Sequence, residues 1–276
     1  MQKAEENYTR LPKIGKAVIV SNFTNERTYA EDDYKQLETT LTKIGFEKLT
    51  GAVEMVNTNL TKQKFIDLYK TAANNDDYGN DTCVLFIVMS FGKPGSIKCD
   101  SSPYAEYVEQ KDLFEAFQPQ ICKSLAKKPK IFIIQTIPET RGVLHDEPTA
   151  VEPPKMRKIP READFLIYTC ESNCINDKSM NNDHNIFVKS IVEILQEQVV
   201  AGTSNLEIQE ILLNINNRYK EKRAKLSDLK ESCKIPCVTS SLSKRLYLKP
   251  LGNLPKHADM PTQGTGQLHC GSVLTT

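Results

Sequence analysis

The chain has 276 residues, a formal net charge of +1 and a sequence pI near 7.5, so it lacks the basic excess that favours nucleic acid or an anionic membrane as partner. Its first residues, Met-Gln-Lys-Ala-Glu-Glu-Asn, carry no apolar leader core, and no apolar run approaches the ~20 residues that span a bilayer. A cytoplasmic protein is expected, with its eight cysteines as reduced thiols.

After a short extension over 1–14, apolar runs alternate with helical patterns. Ala17-Val-Ile-Val-Ser21 reads as the first strand. Leu37, Leu41 and Ile44 share one face of a helix over about 31–44 that Gly45 closes. Phe65, Ile66, Leu68 and Tyr69 mark a second helix, and Cys83–Met89 a second strand. Lys130–Gln135 and Asp164–Thr169 are the next two strands. Phe187–Leu195 and 206–224 are further helices, and Ile235–Thr239 and Lys244–Leu248 two final strands. The strands are continuously apolar rather than alternating, which predicts burial on both faces of a mostly parallel sheet in an α/β fold. The segment 143–157, with Pro148, Pro153 and Pro154, reads as an exposed linker, and 250–276 as a disordered tail.

Cys170/Cys174 and Cys233/Cys237 form two Cys-x-x-x-Cys pairs, but they lie almost sixty residues apart with no histidine at finger spacing. No metal and no other cofactor is expected.

The third strand ends Gln135-Thr136-Ile137-Pro138-Glu139-Thr140-Arg141-Gly142. A Gln-Ala-Cys-Arg-Gly turn after such a strand carries the nucleophile of a caspase. Here the Gln and the Arg-Gly are kept, three residues are added between them, and the turn holds no cysteine. Other motifs carry the same resemblance. Gly15-Lys-Ala-Val-Ile-Val-Ser-Asn22, Arg27-Thr-Tyr-Ala-Glu-Asp-Asp-Tyr-Lys-Gln-Leu37 and Lys43-Ile-Gly-Phe46 fit the large subunit. Lys158-Ile-Pro-Arg-Glu-Ala-Asp-Phe-Leu166 and Lys234–Leu248 fit the start and end of the small one. Over roughly residues 7–249 the chain resembles the caspase family.

The resemblance implies a single domain over 15–249, large-subunit-like over 15–142 and small-subunit-like over 158–249. It implies a six-stranded sheet with helices on both faces that dimerises through its last strand. The short N-terminal extension implies the layout of an effector caspase. The general base of the family stands in a Ser-His-Gly segment, which here reads Ser90-Phe91-Gly92. Phe91 neither accepts nor donates a proton. Phe91 thus replaces the base, and Thr136, Ile137 and Pro138 replace the nucleophile turn, so no catalytic residue is assigned. A dyad rebuilt from Cys83, Cys99 or Cys122 with His145 is the competing reading. Of the residues that clamp a substrate aspartate, Arg27 and Gln135 match; Lys178 and Ser179 stand in place of a Trp and an Arg, beside Asp177. Arg27 pairing with Glu31 or Asp32, and Gln135 bonded to backbone at a strand end, are the structural alternatives. The only Asp of the linker, Asp146, precedes Glu147, so little or no cleavage is expected there.

Ile235, Val238, Leu242, Leu246 and Leu248 are then the expected dimer interface. The function expected is that of a dead caspase homologue that binds an active caspase paralogue in apoptosis, with activation favoured over inhibition. A residual hydrolase and a homodimeric scaffold are the other classes.

Overall fold

The computed structural model describes residues 6–23, 30–50, 53–74, 78–100, 104–138, 163–171, 185–201, 207–225 and 235–248. Strand β1 (Lys13–Ser21) leads through helix α1 (Ala30–Ile44) to the short strands β2 (Phe46–Glu47) and β3 (Val56–Thr58). Helix α2 (Lys62–Ala73) is followed by the long strand β4 (Asp81–Lys93), then β5 (Ser96–Lys98) and β6 (Tyr107–Glu109). Helix α3 (Gln110–Ala116) and a 3-10 turn over Lys123–Leu125 precede β7 (Lys130–Pro138). Strand β8 (Phe165–Glu171) and helix α4 (Ile186–Ile194), which runs on as a π-helical turn over Leu195–Val200, lead to α5 (Ile208–Ala224) and β9 (Cys237–Ser240).

The main sheet has the order β2-β1-β4-β7-β8-β9, with β3 also on β1, and β5 and β6 extending from the end of β4. Strands β2, β1, β4, β7 and β8 run parallel, and β9 closes the edge antiparallel to β8. This is the α/β sheet with helices on both faces that the apolar runs predict. Alternate residues of each run enter different cores, since successive side chains of a strand point to opposite faces. Leu85, Ile87 and Met89 pack with α1, α4 and α5, while Val84, Phe86 and Val88 pack with α2 and α3. On the second face Phe132 is the hub, with the rings of Phe86, Phe114, Phe117 and Phe165 at 5.9, 5.0, 5.5 and 6.0 Å.

Helix ends follow local chemistry. Thr61 accepts from Lys64 N to start α2, and Glu207 and Glu210 form a reciprocal capping box on α5. Gly45, at φ 107°, ends α1 and donates to Leu41 O and Thr42 O. Gly15 is required inside β1: its φ is +149°, and a Cβ there would lie 2.1 Å from Cys83 O on β4.

The segment 244–248 differs from the expected strand. It makes single bridges, Arg245 with Asn7 and Tyr247 with Glu207, rather than a ladder. Its alternation is real burial: Leu246 is 1% exposed and Leu248 is also buried, both in the core beside α5. These two residues fill the core of the single chain. Of the expected interface, only Ile235 (56% exposed) and Val238 (37%) stand out from the surface, while Leu242 packs half-buried against the core. The linker 143–157 and the tail 250–276 lie outside the described residues. Among the described residues no helix is long and apolar enough to cross a membrane.

Candidate functional site

Parallel sheets place their ligand sites beyond the carboxyl ends of the strands. Here those ends are aligned by register. Ser21 pairs with Met89, Met89 with Gln135, and Gln135 with Cys170, so one row crosses β1, β4, β7 and β8. Beyond that row β4 and β7 continue together, Ser90 beside Thr136, Phe91 beside Ile137 and Gly92 beside Pro138. The structure thus brings together the four positions singled out at the two strand ends.

Phe91 is half-buried and packs against the core. Its ring meets that of Phe23 edge-on at 5.1 Å and 79°, and Lys98 Nζ lies over it, 5.7 Å from the centroid. An edge-to-face pair with a cation above it holds the ring in place by packing, with no proton to exchange. Ser90 Oγ donates to Lys98 O at 2.7 Å, which fixes β5 against this end of β4. Gly92 is needed for the same approach, because a Cβ there would lie 2.3 Å from Ser96 O. Thr136 and Ile137 are buried.

Gln135 is buried, and its carboxamide both donates and accepts. It donates to Asn185 Oδ1 at 2.9 Å and accepts from Asn185 Nδ2. Asn185 Oδ1 also accepts from Phe187 N and Val188 N, capping α4. Rather than bonding backbone at the strand end, the Gln135 carboxamide pairs with another side chain. Asn185 is the residue that sequence reasoning missed. Its signal was a short polar residue directly before an apolar helix, the usual mark of an N-cap.

Among the described residues there is no histidine: all four lie at positions outside them, His145 included. Burial pushes the Cys83 thiol strongly up, the Cys170 thiol up to about 12 and the Cys99 thiol up to about 11. A nucleophile must be a thiolate, so these three are held in the unreactive form at neutral pH. Cys122 is buried as well, and Cys237 is exposed on β9. Cys174 and Cys233 lie outside the described residues, as do Arg27, Asp177, Lys178 and Ser179. No group of three His, Cys, Asp or Glu among the described residues is placed to hold a metal.

At the sheet edge, β9 pairs through Leu166/Ser240, Ile167/Thr239, Tyr168/Val238 and Thr169/Cys237 with β8. Among the described residues no strand covers its other side.

Comparison with known proteins agrees with this layout. The model of the caspase domain matches residues 14–247. Caspase-3 of Mesocricetus auratus is 26% identical over 243 residues, covering 86% of this chain and 84% of that protein. Caspase-6 of Gallus gallus is 26% identical over 239 residues, covering 79% of this chain and 72% of that protein. The solved structure of pro-sf-caspase-1 superposes with a TM-score of 0.65 at 23% identity, covering 90% of this chain and all of that one, so the fold is shared. With the family model spanning both halves of the sheet, the chain belongs to the caspase family.

Proposed function

We propose that this chain is a catalytically inactive caspase homologue that binds an active caspase and changes its activity. The observation that carries the reading is the pairing of Phe91 with Ile137 at the carboxyl ends of β4 and β7. A caspase needs a base on the first of these strands and a thiolate after the second; here two apolar side chains stand side by side. The bonding of Gln135 to Asn185 supports the same reading, since it turns the carboxamide toward the first turn of α4 and commits one of its N–H groups there.

The binding surface of this proposal is the open side of β9 with Ile235 and Val238. An uncovered strand edge with apolar side chains beside it is costly alone and is relieved by a second strand. A partner of the same family presents a matching edge, so the occupant is an active caspase in the cytoplasm. We assign activation as the outcome: an inert partner completes the paired sheet without competing for substrate. The test is to add the purified chain to an active caspase from the same organism and follow cleavage of an Asp-containing fluorogenic peptide. A rate that rises with added chain, and no turnover from the chain alone, is the expected result.

A further inference from the structure

The N-terminal segment is tied to the end of the domain at one point. Tyr8 Oη donates to Asp164 Oδ1 at 2.5 Å, Ser243 Oγ donates to the same oxygen at 2.7 Å, and Ser243 N donates to Tyr8 Oη at 3.0 Å. Asp164 is buried and sits at φ 75°, a conformation held because its carbonyl accepts from Lys130 N and its N–H donates to Ser241 O. Around this knot, among the described residues, two backbone bonds join residues 6–8 to the stretch after β9: Tyr8 N to Arg245 O and Arg245 N to Glu6 O. The chain is next held at Leu11, whose N–H donates to Thr82 Oγ1. Leu246 O in turn accepts from Ile208 N at the start of α5. The knot therefore latches three parts of the chain together: the N-terminal segment, the turn before β8 and the stretch that follows β9.

Tyr8 is half-buried and follows Glu5-Glu6-Asn7, two carboxylates just upstream of a tyrosine. We propose that Tyr8 is a phosphorylation site for a tyrosine kinase that selects acidic upstream residues, and that its modification releases this latch. In the reaction Tyr8 Oη attacks the γ-phosphorus of ATP; the bond to the β-phosphate oxygen breaks, ADP leaves, and the hydroxyl proton passes to the kinase base. The product loses the hydrogen that Asp164 accepted. It also sets a charge near −2 against a buried carboxylate, which is the disruptive placement for a phosphate. Burial and the bond to Asp164 already push the Tyr8 hydroxyl up to about 12, as expected where negative charge is disfavoured. Residues 6–8 lie outside the sheet and, among the described residues, are joined to the stretch after β9 by those two backbone bonds, so they open locally without global unfolding and reach a kinase.

The experiment uses the full chain, ATP and a purified kinase of that specificity, read by phosphopeptide mapping and backbone hydrogen exchange. Phosphate on Tyr8, with exchange at Arg245 and Ile208 faster by about tenfold, is expected from the loss of a charge-assisted hydrogen bond. In Asp164→Asn, whose side chain tolerates the same φ and keeps an acceptor oxygen, the phosphorylated chain shows a much smaller increase. The proposal is overturned if the folded chain takes no phosphate at Tyr8 while the denatured chain does. It is equally overturned if phosphate at Tyr8 leaves exchange unchanged or slows it, or if Asp164→Asn makes no difference.

Discussion

The carboxamides of Gln135 and Asn185, fifty residues apart in the chain, face each other and bond in both directions. The pair joins the end of β7 to the first turn of α4, each amide both donating and accepting. Asn185→Ala removes the cap of α4 and strands a buried carboxamide at once. Caps are worth about 1 kcal/mol and an unpaired buried amide about 1–3, so a loss of about 2–4 kcal/mol in urea denaturation is expected. Gln135→Ala leaves the cap in place and costs less, and the double variant falls short of the sum because the two share one interaction.

Phe91→His restores the residue type of a general base but not a nucleophile beside it. The purified variant, like the parent, is expected to leave Asp-containing fluorogenic peptides uncut. It also gives up part of the contact with Phe23, and a lost edge-to-face pair costs about 0.5–1.5 kcal/mol, seen as a lower denaturation midpoint. Turnover by Phe91→His, or by the parent chain, would show that a thiolate is reached from elsewhere.

Charge on the final segment acts differently at different positions. Leu246→Asp buries a carboxylate in the core and is expected to prevent folding, with a cost above about 4 kcal/mol. It therefore says nothing about partners. Val238→Lys lies on the exposed side of β9 and is expected to change stability by less than about 0.5 kcal/mol while abolishing capture of an active caspase. Circular dichroism and pull-down of the same preparation separate the two effects.

Asp81, the first residue of β4, is fully buried and its carboxylate accepts no hydrogen bond. Burial raises its pKa above the ordinary 3.8, against the pull of Lys16, Lys13 and Lys128 and with the help of Glu47. A carboxyl whose folded pKa is raised contributes stability that is fully present below the unfolded value and is lost as pH rises through the folded one. Asp81→Asn removes this loss, so the fall in stability upward from about pH 4 should be shallower than in the parent. Denaturation midpoints measured at steps between pH 4 and 7 check it, and parallel curves for the two chains would contradict it.

The central strands were legible because β1, β4, β7 and β8 are buried on both faces, which leaves continuous apolar runs. Strands β2, β3, β5 and β6 have two or three residues each and α3 has seven, too short to show a period. The stretch 244–248 carried a true period-2 burial pattern, yet its backbone meets its neighbours only at single bridges, and pattern alone does not report hydrogen-bond partners. At the site, Phe91 and the turn after Gln135 were found through the resemblance to caspase motifs. Phe23 against Phe91, and Asn185 against Gln135, are contacts between distant parts of the chain that no local signal encodes.

The most direct measurement titrates an active caspase of the same organism with this chain and follows peptide cleavage, with the chain alone and Val238→Lys as controls. A rate that rises to saturation with the parent, is unmoved by Val238→Lys and is absent from the chain alone is the predicted result. An unchanged partner rate, or cleavage by the chain alone, would contradict the role of an inactive binding partner.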